Sequence, residues 1–154
     1  MTRYELFKLL HVVGAIAWIG GGMGLLLLNQ RLVAARDYGA LLSVGKHGQA
    51  LGTWLFMPAS LVTIGFGVAM VATEPTLRFA DLWILIGFGG VLASGIAQMA
   101  VAAPAEKRFT ALAGERGLDH PDVEAAARQV TYGNVLDVGL LLVVVWAMVA
   151  KPTL

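Results

Sequence analysis

Four long apolar stretches constrain the fold of this chain more than any other feature. A helix that crosses a bilayer needs about 20 mostly apolar residues, and the stretches that qualify are residues 6–28, 51–72, 82–103 and 130–150. Lipid offers the backbone no hydrogen-bonding partner, so each stretch is expected to be helical. The sequence therefore predicts an all-α integral membrane four-helix bundle, formed by a single transmembrane domain over residues 1–154 with both termini on the same side.

Local signals predict that three of the helices extend beyond the lipid. The third helix should continue past its span and close near Gly114 or Gly117, because glycine commonly ends helices. A fourth helix then begins outside the lipid, with Asp119 or His120 near its cap and Pro121 in its first turn. The segment DYGALLSVGKHGQALG extends the second helix in the same way. Helices 2, 3 and 4 are therefore expected to project on the side of the two long links.

The basic residues predict the orientation of the bundle. The chain has 11 lysine and arginine residues, and the larger share of them lies on the side of the two long links. The residues on that side are Arg31, Arg36, Lys46, Lys107, Arg108, Arg116 and Arg128. Cytoplasmic links of membrane proteins are enriched in these residue types. Both termini are therefore expected on the outer side. The expected partner of this multi-pass protein is the lipid bilayer that surrounds its spans.

A histidine lies among small residues in the first helix. His11, Gly14 and Trp18 recur at helical spacing and share one stripe. Counting inward at 1.5 Å per residue places Gly67 of the second helix and Gly87 of the third at a depth similar to that of His11. Small residues let membrane helices approach closely, so tight packing is one interpretation. The other is that these glycines leave room for a flat cofactor.

The cofactor interpretation makes His11 a candidate axial ligand of haem b. His47 lies roughly 25 Å or more away by the helical rise and does not reach the same haem. Met70 or Met148 is the candidate second ligand, and a five-coordinate haem is the alternative. No histidine-only metal site is expected, because no second histidine is within reach. The competing interpretation of His11 is a neutral imidazole that is hydrogen-bonded to a backbone carbonyl or to water.

A second candidate site is a polar cluster near the cytoplasmic side of the membrane. Asp137 lies about two turns inside the fourth helix, Asn134 precedes it on the same face, and Gln98 of the third helix has a similar depth. A lone carboxylate there is costly. Asp137 is therefore expected either to pair, with Arg31 or Lys46 as the candidate partners, or to remain protonated. The cluster has either a structural role or a role in proton movement or ligand binding.

Other classes of function find little support in the sequence. The net charge of +1 argues against a nucleic-acid partner, and the chain has no cysteine. No hydrolase, P-loop or dinucleotide motif occurs, so no catalytic residue is proposed and enzymatic activity is not favoured. Three hypotheses remain: a haem-binding or redox-linked protein, a small transporter or proton-coupled accessory, and a non-catalytic scaffold. The scaffold would form a homo-oligomer or bind a membrane partner through the glycine faces of the helices.

The first helix also carries a resemblance to known membrane proteins. Its segment LFKLLHVVGAIAWIGGGM, with Lys8, His11, Trp18 and the Gly20–Gly21 pair, resembles a bacterial family of small four-helix integral membrane proteins of unknown function. It is also similar to copper-resistance D-type domains and J-type protoporphyrinogen oxidases. The resemblance implies a location in the bacterial inner membrane and implies that His11 is a haem ligand. The J-type oxidases pair this histidine with a lysine in helix 3, and the corresponding segment of this chain, residues 81–101, has no lysine.

Overall fold

The computed structural model describes residues 1–153 and folds them into four long helices. Helix α1 covers Arg3–Ala34, α2 covers Tyr38–Thr73, α3 covers Leu82–Arg116 and α4 covers Pro121–Ala150. All four are long and apolar enough to cross a membrane. The predicted all-α four-helix membrane bundle is confirmed. We call the end of the bundle that holds both termini the outer end, and the opposite end the inner end.

The helix ends at the inner end follow local chain chemistry. Helix α3 ends at Arg116, and Gly117 follows with φ 79°, a left-handed conformation that glycine adopts without a steric penalty. Helix α4 begins at Pro121, and the His120 side chain accepts a hydrogen bond from the backbone N–H of Asp122 at 3.2 Å. Proline suits the first helical position because its missing N–H would have no partner there. The predicted ends of both helices are confirmed.

Three of the four helices contain one π-helical turn. These turns are Ile16–Gly20 in α1, Gly52–Phe56 in α2 and Gln98–Ala102 in α3. Pro58 and Pro104 follow the second and third turns closely. A proline within a helix lacks an N–H and clashes with the carbonyl group four residues earlier, so the preceding turn widens. The first turn has no such proline and leads into a run of three glycines, where helix propensity is low.

Glycine residues lie where neighbouring helices of the bundle approach each other closely. Helix α1 packs against α2 and α4, and α3 packs against α4. A Cβ atom built on Gly14 of α1 would lie 2.6 Å from Thr63 Oγ1 of α2, and one built on Gly133 of α4 would lie 2.9 Å from Ala102 Cα of α3. Such contacts let membrane helices approach closely. Across residues 1–153, α2 and α3 make no extensive contact with each other, so a gap separates them over most of their length.

The buried core and the exposed apolar surface occupy different parts of the molecule. The largest buried apolar cluster lies at the inner end and contains Tyr38, Leu41, Ala105, Phe109, Ala113, Val123, Ala126, Ala127 and Val130. Along the spans, large apolar side chains face outward instead, such as Trp54, Met99 and Val149, which are 83%, 79% and 80% exposed. Such a surface would be unfavourable in water but suits contact with lipid.

Candidate functional site

A cavity of about 500 Å³ lies between the helices and is lined by residues of all four. Along α3 it extends from Val91 to Thr110, which corresponds to about 28 Å at 1.5 Å per residue. Its wall includes residues from each π-helical turn, namely Trp18, Phe56 and Gln98. π-Helical turns occur frequently at functional sites. The cavity therefore begins near the middle of the bundle and continues toward the inner end, next to the gap between α2 and α3.

The polar residues predicted near the cytoplasmic side share the wall of this cavity. Asp137, Asn134 and Gln98 all line it, and Ser94 lines it as well. The Ser94 hydroxyl donates a hydrogen bond to Asp137 Oδ1, which links α3 to α4 within the span. Ser94 is buried, and Asp137 is partly buried. The bundle therefore holds a carboxylate, a hydroxyl and two amides around one space.

The expected pairing of Asp137 with Arg31 or Lys46 is wrong. The hydrogen-bond partner of Asp137 is Ser94, and both basic side chains are exposed and absent from the cavity wall. A basic side chain keeps its hydration at the surface and loses it inside the span. A hydroxyl one helix away satisfies the carboxylate without that cost, so Asp137 pairs with the neutral group.

Asn29 is a residue of the site that sequence reasoning missed. It lines the cavity and is only 8% exposed, and its Oδ1 atom has no hydrogen-bond partner in the described chain. A buried acceptor without a donor typically costs about 1–3 kcal/mol, so a donor that reached this oxygen would stabilise the site. Its helical spacing from Gly22 and Leu26, which also line the cavity, was the signal that could have identified it.

Glu106 is the second residue that the sequence did not identify. It lies beyond the apolar span of α3, on the cavity wall toward the inner end. A Cβ atom built on Gly45 of α2 would lie 3.0 Å from its Oε1 atom, so the missing side chain makes room for the carboxylate. Loss of hydration through burial raises the pKa of Glu106 above its ordinary value.

His11 lies in the interface between α1 and α2. Its Nδ1 atom donates a hydrogen bond of 2.7 Å to the carbonyl oxygen of Thr63, because a carbonyl can only accept. In the neutral ring, Nε2 then carries a free electron pair. A Cβ atom built on Gly67 would lie 3.1 Å from His11 Nδ1, so Gly67 allows the ring to approach α2. This pair confirms that His11 and Gly67 share one depth.

The remaining residues of the haem hypothesis lie elsewhere. Gly87 of α3 faces Met148 of α4, whose terminal methyl group occupies the space that a Cβ atom would need. Met70 lies in α2 and is partly buried. None of His11, Gly67, Gly87, Met70 and Met148 lines the cavity described above. The structure therefore brings His11 together with Gly67, and Gly87 together with Met148, and haem binding stays a prediction.

Four long apolar helices around a cavity that has several polar groups on its wall define a multi-pass α-helical membrane protein. The chain belongs to the family described as predicted integral membrane protein (DUF2269), whose profile matches residues 5–152. The expected membership in a membrane protein family of unknown function is thereby confirmed. No curated protein and no solved structure matches the chain.

Proposed function

We propose that this protein is a small proton-coupled transporter of the bacterial inner membrane and that Asp137 carries the proton. The observation that supports this proposal most strongly is the position of the Asp137 carboxylate. It lies within a membrane-spanning helix, on the wall of a cavity, and accepts a hydrogen bond from Ser94. Ionisable groups that face a cavity inside a membrane commonly belong to an ion path or a proton relay.

The groups around Asp137 suit a change of protonation state. A hydroxyl can donate to an ionised carboxylate, and it can accept a hydrogen bond from a protonated one. Ser94 can therefore hold Asp137 in either state. The side-chain amides of Asn134 and Gln98 add donors and acceptors on the same wall. The cavity thus offers a proton acceptor next to groups that can orient a small polar solute.

Access to the cavity follows from the helix arrangement. The cavity extends past Glu106 toward the inner end. Basic residues are more numerous at that end of the helices than at the outer end, and this excess supports a cytoplasmic location for the inner end. Helices α1 and α2 pack as one pair through Gly14, and α3 and α4 pack as another through Gly90 and Val144. Tilting one pair against the other would open the outer end.

Reconstituted vesicles test this proposal. The purified full chain is placed in liposomes that contain a pH-sensitive dye, with equal pH on both sides. Spermidine, benzenesulfonate and glucose are then added outside in turn, as probes of the three charge classes. Proton-coupled transport predicts that at least one probe changes the lumen pH faster than in empty liposomes. Asp137→Asn should abolish the change, because an amide side chain does not ionise in this pH range and so cannot take up and release a proton as a carboxylate does.

A matched variant separates this role from a general charge effect. Asp119→Asn removes a carboxylate from an exposed position outside the spans and should behave like the wild type. If Asp137→Asn keeps the full lumen response, or if the wild type matches empty liposomes with all three probes, the proposal is wrong.

A second candidate function is haem binding through His11. The hydrogen bond from Nδ1 to the Thr63 carbonyl favours it, because metal-ligating histidines usually donate their other N–H to such an acceptor. It is also the function that the resemblance to copper-resistance D-type domains and J-type oxidases implies. Gently purified protein should then show a Soret absorption band that His11→Ala removes. An unchanged band in His11→Ala, or a wild type without any band and without iron, contradicts it.

A further inference from the structure

We propose that the cavity selects a linear polyamine, an organic cation with several N–H groups along one chain. The inference rests on the proposed transport function and names the class of its cargo. It is carried by three acceptor groups on the cavity wall, Asp137, Asn29 and Glu106, and by their spacing along the bundle axis.

The charge of the wall favours a cation. Among the described residues that line the cavity, Asp137 and Glu106 are the only titratable side chains, and no lysine, arginine or histidine accompanies them. A cavity with acidic groups only, enclosed by apolar helices, attracts cations and repels anions because lipid and protein screen charge weakly. An anionic cargo would meet no balancing charge on this wall.

The unpaired oxygen of Asn29 indicates that the cargo carries a hydrogen-bond donor. Asn29 is more than nine-tenths buried, and its Oδ1 atom has no partner in residues 1–153. An ammonium N–H supplies both the donor and a positive charge. A quaternary ammonium has no N–H, so it would leave this acceptor unsatisfied.

The spacing of the three groups favours a linear molecule over a compact one. A Cβ atom built on Gly22 of α1 would lie 3.9 Å from Val138 Cγ2 of α4, so these two residues have a similar depth. Asn29 then lies about 9 Å further inward than Asp137 at the helical rise. Ser94 contacts Asp137, and Glu106 follows it by a rise of about 18 Å along α3. These three acceptor groups therefore lie at three levels along the bundle axis. A single ammonium group can reach the acceptor at only one of these levels at a time. A chain with several ammonium groups satisfies them together.

The rest of the wall suits the methylene segments of such a chain. Between the polar levels, the cavity is lined by aromatic and aliphatic side chains, among them Trp18, Phe56 and Leu26. These groups bury methylenes favourably, and aromatic faces attract ammonium groups. A bare metal ion would instead need several oxygen ligands at one level, and the two carboxylates are too far apart along the axis to provide them.

Binding to the purified full chain in a neutral detergent tests the inference. Calorimetric titrations compare spermidine with butylammonium, which has one charge, with hexamethonium, which has two charges and no N–H, and with adipate, a linear dianion. We expect spermidine to bind at least tenfold more tightly than butylammonium, and adipate not to bind. Asp137→Asn and Glu106→Gln should each weaken spermidine binding at least tenfold. Asn29→Leu should weaken spermidine binding but leave hexamethonium binding unchanged.

A matched pair of glycine variants shows whether spermidine binds in the cavity. Gly48 lines the cavity and Gly65 does not, and a Cβ atom on either would meet no neighbour within 4 Å. Gly48→Leu should therefore obstruct the cavity and abolish spermidine binding, and Gly65→Leu should bind like the wild type. Equal binding by both variants would show that spermidine binds at the surface and would overturn the inference. These variants keep every charged group, so they decide the question even if Asp137→Asn does not fold.

The outcomes also separate this inference from the transport proposal. Spermidine binding that Gly48→Leu abolishes, without any change of lumen pH in vesicles, supports the polyamine site and contradicts transport. A lumen response to benzenesulfonate or glucose, with no spermidine binding, supports transport and contradicts the polyamine site. Adipate binding as tight as that of spermidine also overturns the inference.

Discussion

The contact between α1 and α2 at Gly14 gives a prediction whose size follows from the structure. In Gly14→Ala, the new methyl group would lie 2.6 Å from Thr63 Oγ1, 3.0 Å from the Ala59 carbonyl oxygen and 3.1 Å from the Thr63 backbone nitrogen. Two of these atoms belong to the backbone of α2, so rotation of a side chain does not relieve the overlap. The two helices must therefore move apart.

The expected cost combines three terms. Overpacking of a tight contact costs about 1–3 kcal/mol. Separation of the helices also weakens the hydrogen bond between His11 and Thr63, and such bonds are worth on average about 0.6 kcal/mol in a membrane protein. Alanine has a higher helix propensity than glycine, and this difference stabilises the variant by up to about 1 kcal/mol. Gly14→Ala should therefore lower the free energy of unfolding by about 1–3 kcal/mol.

The matched control is Gly24→Ala in the same helix, where a Cβ atom meets no neighbour within 4 Å. This variant should be as stable as the wild type or up to about 1 kcal/mol more stable. Titration with sodium dodecyl sulfate in mixed micelles, followed by circular dichroism, measures both free energies. If Gly14→Ala is as stable as Gly24→Ala, the helices do not approach at Gly14 as described.

Two further predictions concern Glu106 and the topology. An acid with a raised pKa holds its proton more tightly in the folded state, so stability should fall as the pH rises from about 4.5 through the raised value. Glu106→Gln should remove this fall in the unfolding midpoint, and a variant that keeps the wild-type slope contradicts the burial of this carboxyl. For the topology, a membrane-impermeant thiol reagent added to intact cells should label Thr76→Cys, in the link between α2 and α3, and spare Asp119→Cys, in the link between α3 and α4. The opposite labelling would reverse the orientation.

The sequence was sufficient to predict the helices and their ends, because those signals are local. Hydropathy identifies a span from its own residues, since a continuous apolar run can cross lipid only as a helix, whereas the strands of a membrane barrel alternate apolar and polar residues. Gly117 ends α3 and Pro121 begins α4 through backbone preferences that neighbouring helices do not change. The depth match between His11 and Gly67 was also accessible, because it needs only the rise per residue.

The location of Glu106 was not accessible, because a π-helical turn changes the register of α3. In a regular helix, 12 residues separate Ser94 from Glu106 by three turns and about 120°, which would place them on different faces. One additional residue in the turn Gln98–Ala102 reduces that angle to about 20°. Pro104 was visible in the sequence, but a proline within a helix can also produce a kink or an end.

The partner of Asp137 was not accessible for a different reason. Counting along straight helices finds residues of similar depth, and opposite charge was then the criterion for choosing a partner among them. That criterion favoured Arg31 and Lys46 over a hydroxyl. The choice depends on which faces meet, and on the cost of moving a cation out of water. The helical spacing of Asn29 indicates which face of α1 it occupies, but whether its Oδ1 atom finds a donor depends on the side chains that the other helices bring near it.

Thiol labelling at two adjacent positions tests most directly whether a polar, solvent-accessible cavity lies inside the bundle. The chain has no cysteine, so single variants report one position each. Gln98 lines the cavity. Its neighbour Met99 is 79% exposed on the side of the helix that faces lipid. Because the thiolate is the reactive form and needs water to ionise, a charged methanethiosulfonate reagent applied to the inner side should modify Gln98→Cys much faster than Met99→Cys. Equal rates, or faster modification of Met99→Cys, would contradict the cavity.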